Sequence, residues 1–281
     1  MSQNPSRAHR DARRAQIPRM PTLGTVCRQF RDHCGYTREE ASSECGVSQS
    51  YLYRIEEQEH WPSPEILERL VTGYNLDSGQ ARHLSELCAP AERLEPVHVL
   101  RHRVLTNAAQ MSHLDHLETL GALAAYIDPV WSILATNNLF RRSMPGADET
   151  GSIPVWLFSP TARRLVLDWD READHTVAIL KGTLGRHRDS PQSIHLFRRL
   201  RRNTYFQDRW IYDIRVEHGR DDSIQFRLRD PQTAAVAGYR LSISDETNHV
   251  WLLTGFPIEV PSAPNSAVAD SPTDRFSEET P

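Results

Sequence analysis

The sequence predicts two domains of different class, an all-α bundle of five short helices followed by an α+β domain built on an antiparallel sheet. Two periodicities and the stretch between them carry this prediction. From 22 to 88, apolar residues recur at helical spacing with cap and stop signals between the runs. Further on the period changes to two: Ile224, Phe226 and Leu228 alternate with polar residues, as do Tyr239, Leu241 and Ile243. Between lies "APAERLEPVHVLRHRVLT", with two prolines and scattered charge, which reads as a linker over 89–106. A chain of 281 residues has room for two domains of ordinary size.

In chain order, residues 1–21 form a basic arm, with five arginines against one aspartate and no apolar periodicity, and are expected to be disordered. Leu23, Val26, Cys27, Phe30 and Cys34 make one face of a first helix, closed by Gly35. "TREEA" opens a second helix with a capping box, Thr37 at the N-cap and Glu40 at the third position, and Gly46 ends it. Ser48 caps a third, whose Leu52 and Ile55 point inward. Ser63 and Pro64 start a fourth, with Leu67, Leu70, Val71 and Tyr74 buried. A fifth begins near Ser78 and buries Ala81, Leu84, Leu87 and Cys88. After the linker, a short helix around Leu114, Leu117 and Leu120 precedes two strands flanking the Asp128-Pro129 turn, and Asn137 caps a further helix. The stretch 155–210 reads as helices, 211–256 as antiparallel strands, and 261–281 as a Pro/Ser/acid-rich disordered tail.

Helices two and three, joined by "CGVS", have the physical form of a helix-turn-helix. Gly46 permits the sharp turn, Val47 fills the angle, and Ser48 caps the recognition helix. Gln49, Ser50, Tyr53 and Arg54 then share the face opposite Leu52 and Ile55. Gln suits adenine and Arg suits guanine in the major groove. With "TREEASSECGVSQSYLYRIEEQEHWPS", carrying Ala41, Gly46, Val47, Ser48, Ile55, Glu56 and the Pro-Ser pair, residues 22–88 resemble the XRE, or Cro/repressor-type, helix-turn-helix family. The resemblance implies that Arg38, Ser48, Gln49, Ser50, Tyr53 and Arg54 meet DNA. Arg38 stands where the family usually has Gln, a change that keeps phosphate contact and alters base preference.

Charge opposes this reading. Residues 22–88 hold six arginines against eleven acidic residues, and phosphate neutralisation supplies most non-specific DNA affinity. The basic arm is the expected compensation, lying along the backbone or in the minor groove. The alternative is a protein-interaction module that keeps the bundle without binding DNA.

The second domain carries "YIDPVWSILATN", "WLFSPTARRLVLDW", "YFQDRWIYDI" and "HVWLLTG". With these pieces residues 107–260 resemble the ligand-binding domain of MmyB-like regulators. That implies a PAS-like α+β fold enclosing a small, mainly apolar ligand such as a fatty acid. Trp131, Trp156, Phe158, Trp169, Phe206 and Trp210 are candidate walls, although a large aromatic is more often plain core. Arg163 either meets a ligand carboxylate or makes a structural ion pair.

No G-x-S-x-G, H-E-x-x-H or phosphate-cradling Gly-rich loop occurs, so an enzyme is not expected. His113 and His116 lack a third ligand, and the four cysteines contain no C-x-x-C pair, so neither a metal nor any required cofactor is expected. No apolar run is long enough to span a membrane and no secretory signal opens the chain. The expectation is a cytoplasmic, dimeric transcription regulator. Its partners would be a double-stranded DNA operator and a small molecule, the dimer being required because one recognition helix reads too few base pairs.

Overall fold

The computed structural model describes residues 17–258 apart from 59 and 222. The tail over 261–281, and the arm apart from residues 17–21, lie outside the described residues.

The first domain is α1 (Leu23–His33), α2 (Arg38–Cys45), α3 (Gln49–Gln58), α4 (Pro64–Gly73) and α5 (Ser78–Cys88). Local chemistry sets its boundaries. Thr22 with Thr25, Thr37 with Glu40, and Asp77 with Gln80 form reciprocal capping boxes, and Pro64 opens α4. Val26, Cys27, Phe30, Ala41, Leu52, Ile55, Leu70 and Leu84 close into one core. All four cysteines are unpaired thiols, two of them buried. Burial pushes Cys27 well above the ordinary thiol range, as for an inert core residue.

The linker prediction fails over its second half. Residues 97–106 form helix α6 (Val97–Thr106), with Leu100 and Val104 fully buried against the sheet. Val97, Leu100 and Val104 are an i, i+3, i+7 stripe, and the prolines that read as punctuation only mark where the helix starts. The extended piece before it is stitched to the second domain. Glu92 N–H donates to Arg186 O at 2.9 Å, Leu94 N–H to Ser190 Oγ at 3.0 Å, and Gln192 Nε2 to Glu95 O at 2.8 Å.

The second domain continues with α7 (Ala108–Thr119), β1 (Leu123–Ile127), β2 (Ile133–Thr136), α8 (Asn138–Ser143) and the short α9 (Ala147–Thr150). Then come α10 (Ile153–Leu157), α11 (Pro160–Leu165), α12 (Trp169–Arg186), α13 (Pro191–Leu200) and α14 (Thr204–Tyr212). It closes with β3 (Gln225–Arg229), β4 (Val236–Thr247) and β5 (Val250–Ile258). The five strands are antiparallel neighbours in the order β2-β1-β5-β4-β3. Strand alternation divides the buried residues. Ala124, Tyr126 and Leu252 face α6 and α7, whereas Leu123, Ala125, Ile127 and Leu253 face the layer containing α10, α12, α13 and α14. β1 is buried on both faces, which is why it reads as a continuous apolar run.

The first domain sits on the second through α1 and α5. Gln29 Nε2 donates to the carbonyls of Trp210 and Ile211 at 3.3 and 3.1 Å, and Gln80 Nε2 to Ile214 O at 3.1 Å. From the other side Arg188 donates to Ala89 O at 2.6 Å. The segment between α14 and β3, predicted as strand, is irregular instead: it lacks two-residue alternation, and its Ile214 and Val216 lie against α1 and α5.

Candidate DNA-reading face and ligand cavity

The turn between α2 and α3 is built as its residue types require. Gly46 adopts φ +62°, a left-handed value that glycine tolerates best, and Val47 is buried beneath it. Ser48 Oγ accepts the Tyr51 N–H at 3.3 Å, capping α3. Leu52 and Ile55 anchor α3 in the core, which turns Gln49, Ser50, Tyr53 and Arg54 outward; all four are exposed. The docking of α1 and α5 on the second domain leaves this face open. Arg54 stacks on Tyr51 and reaches His60 at 3.0 Å, so it is held near the exposed surface rather than trailing freely.

Arg38, expected to meet DNA, is held by ion pairs within the head. Its Nε donates to Glu56 Oε2 at 3.0 Å and its terminal nitrogen to Glu57 Oε1 at 2.6 Å. Its guanidinium lies 5.3 Å from the Tyr53 ring. Glu56 is buried and also receives Arg31 in a bidentate pair at 2.7 and 3.1 Å, while Glu57 receives Arg28. Arg28, Arg31 and Arg38 thus serve two carboxylates, and Arg31 is held above its usual pKa chiefly by its hydrogen bond to Glu56. Arg38 orients Tyr53 and braces α2 against α3. The sequence could not distinguish this from a phosphate contact, because its partners lie eighteen residues or more away.

On the helical side of the sheet the second domain holds a cavity of about 840 Å³. This is the size range of small-molecule sites. Its inner part is apolar, with Leu123, Trp131, Phe140, Ile153, Trp156 and Leu253. Polar side chains line the cavity at two places along α12, Glu172 and His175 with Arg220 toward the start of the helix, and His187 with His249 at its C-terminal end. Arg220 holds Glu172 in a bidentate pair at 2.6 and 2.9 Å, and His175 Nδ1 meets Glu217. His249 reaches the C-terminal end of α12 through the two-residue hairpin between β4 and β5, where Asn248 and His249 have φ +44° and +66°. Burial lowers the pKa of His187, which also lines this end.

Of the residues predicted for the ligand, the structure brings two to the cavity. Trp131 and Trp156 line it. Trp131 has φ +63°, unusual for a bulky residue, and the buried Asp128 fixes its loop by accepting the Val130 and Ser132 N–H groups at 3.0 and 2.7 Å. Phe158, Phe206 and Trp210 instead make a neighbouring core cluster, with Phe206 stacked on Trp210 at 5.2 Å and edge-on to Phe158 at 5.5 Å. They lie among α12, α13 and α14, whose packing depends on aromatic volume. Arg163 is on the exterior, stacked on Tyr205 at 4.1 Å and Trp169 at 5.2 Å. The residues that were missed come mostly from α12. Glu172, Thr176, Ile179, Thr183 and Arg186 share one face of that helix and line the cavity. Polar residues at helical spacing on an otherwise buried helix were the available signal.

A helical bundle presenting an exposed recognition helix, joined to a cavity-bearing sheet domain, is the architecture of a ligand-responsive transcription regulator. Residues 107–261 match the model of the MmyB-like transcription regulator ligand binding domain, and residues 22–84 that of a helix-turn-helix domain. The chain belongs to the family of helix-turn-helix transcription regulators with an MmyB-like ligand-binding domain. No curated protein matches it. Both families are regulatory, one binding DNA and the other a ligand. Among the described residues no helix is long and apolar enough to cross a membrane.

Proposed function

We propose that the chain is a sequence-specific, cytoplasmic operator-binding regulator that works as a homodimer and responds to a small, mainly apolar ligand such as a fatty acid. The observation that carries this reading is the exposure of Gln49, Ser50, Tyr53 and Arg54 on a head docked, by its opposite side, to a domain with an apolar-floored cavity. Those four residues supply base contacts, and the cavity supplies control of head placement. Dimerisation is supported by recognition physics, since two half-sites are needed for useful specificity. The basic arm supplies backbone charge that the acidic head lacks.

The test is selection of genomic DNA fragments by purified protein, run beside Arg54→Ala. One enriched, two-half-site motif that the variant loses is the expected result, and deletion of residues 1–16 should lower affinity and flatten its salt dependence. Absence of enrichment at low salt, with and without dodecanoic acid, would favour a protein-interaction module, the reading that the acidic head supports.

A further inference from the structure

The cavity does not belong to the second domain alone. Arg82 and Glu86, both on α5 of the DNA-binding domain, line it near the C-terminal end of α12 together with Glu92 of the connector. Arg82 Nε donates to Glu86 Oε1 at 3.0 Å, which leaves the other carboxylate oxygen, Oε2, buried without a hydrogen-bond partner in the protein. His249 Nδ1, beside His187 and Glu92 near the C-terminal end of α12, shares that condition. His175 Nε2 and Arg220 Nε do so too, but Arg220 is held on Glu172, about 20 Å along α12 from the Gly185 that meets α5. Buried polar atoms are ordinarily satisfied, so a group of them around one cavity marks where a polar ligand group belongs. The set is chemically mixed. An ionised Glu86 can only accept whereas His249 Nδ1 can donate or accept, so a bare carboxylate head leaves the glutamate unserved.

We propose, resting on the ligand-regulated reading above, that the ligand site is composite and that the DNA-binding domain closes it. The ligand is an amphipathic molecule whose polar head carries a hydrogen-bond donor, a hydroxyl or an amine, beside its acceptor oxygens. Glu86 of α5 receives the donor, His249 receives an acceptor, and the apolar body lies along Trp131 and Trp156. Such a ligand bridges the two domains and holds the head in its docked orientation. Coupling to DNA then passes through α5 directly rather than through a flexible linker. Linkage requires that any change weakening the docking also weakens the ligand.

The experiment compares dodecanoic acid with 3-hydroxydodecanoic acid on the full chain, read by quenching of tryptophan fluorescence. Wild type is expected to bind the hydroxy acid about tenfold more tightly, the value of one hydrogen bond to a charged group. Glu86→Ala should bring the two acids to equal affinity. Gly185→Ala, which disturbs the docking without altering a cavity side chain, should weaken the hydroxy acid more than the plain acid. Equal affinities in wild type, or a preference that survives Glu86→Ala, would overturn the composite site while leaving an apolar-ligand regulator standing. Binding of neither acid would overturn the apolar-ligand reading itself, and the composite site with it.

Discussion

Gly185 of α12 lies directly against His83 of α5, so closely that a Cβ on the glycine would stand 2.5 Å from the imidazole Cε1. His83 is fully buried in the contact between the domains, and burial drives its pKa down to about 3, so it is neutral there. A second glycine, Gly79 of α5, lies as closely against the second domain, where a Cβ would run into the Val216 carbonyl oxygen. The two domains are fitted to each other by missing side chains.

Gly185→Ala is therefore expected to overpack the contact, at a loss of about 1–3 kcal/mol. Calorimetry should show it as a single thermal transition that broadens or splits in two. An unchanged single transition would show that the interface yields without loss.

The arginines of the head separate into reading and bracing roles. Arg54→Ala should abolish operator binding while the melting temperature of the head stays within a degree or so, as for an exposed substitution. Arg38→Ala should lower both, because it removes a partner from Glu56 and Glu57. Glu56→Gln should be the most damaging, at about 3–5 kcal/mol, since it leaves the buried Arg31 guanidinium poorly compensated. Circular dichroism melts beside DNA titrations of the three variants check the division.

Trp131→Ala should weaken dodecanoic acid about tenfold, through lost apolar contact at the cavity wall. Arg163→Ala should leave that affinity unchanged, because its guanidinium lies outside on Tyr205. A large effect of Arg163→Ala would show that the exterior stack controls access to the cavity.

The loop that carries Trp131 is expected to be pH-sensitive. Burial raises the pKa of Asp128 from 3.8 to about 6. The folded state therefore binds more proton than the unfolded state between those values, and stability from this group falls as pH rises through that window. The contribution is fully present below 3.8, is lost above about 6, and amounts to roughly 2–3 kcal/mol. Stability measured from about pH 4.5 to about pH 7 should decline more for wild type than for Asp128→Asn. Parallel curves would mean that Asp128 stays ionised throughout.

Much of the first domain was legible in the sequence because its instructions are local. Thr37 caps with Glu40, Gly46 turns, Ser48 caps α3, and Leu52 and Ile55 choose the buried face, all within a few residues of one another. The same local physics found Asn137 at the start of α8 and the alternation of Phe226 and Leu228 in β3. It was misled at 97–106, where two prolines outweighed a short apolar stripe.

What only the tertiary structure decided depends on contacts between distant segments. The sequence by itself determined that Arg38 is basic and near α3, but only the fold shows it paired with Glu56 and Glu57. Aromatic content marked Trp131, Phe206 and Trp210 alike, yet only the packing of α12 beneath the sheet places the first at a cavity and the other two in solid core. Above all, nothing local to α5 announces that Glu86 faces a cavity in the other domain. A helix records in its sequence which face is buried, because apolar periodicity is a property of one segment. It does not record what it is buried against, because that is a property of two.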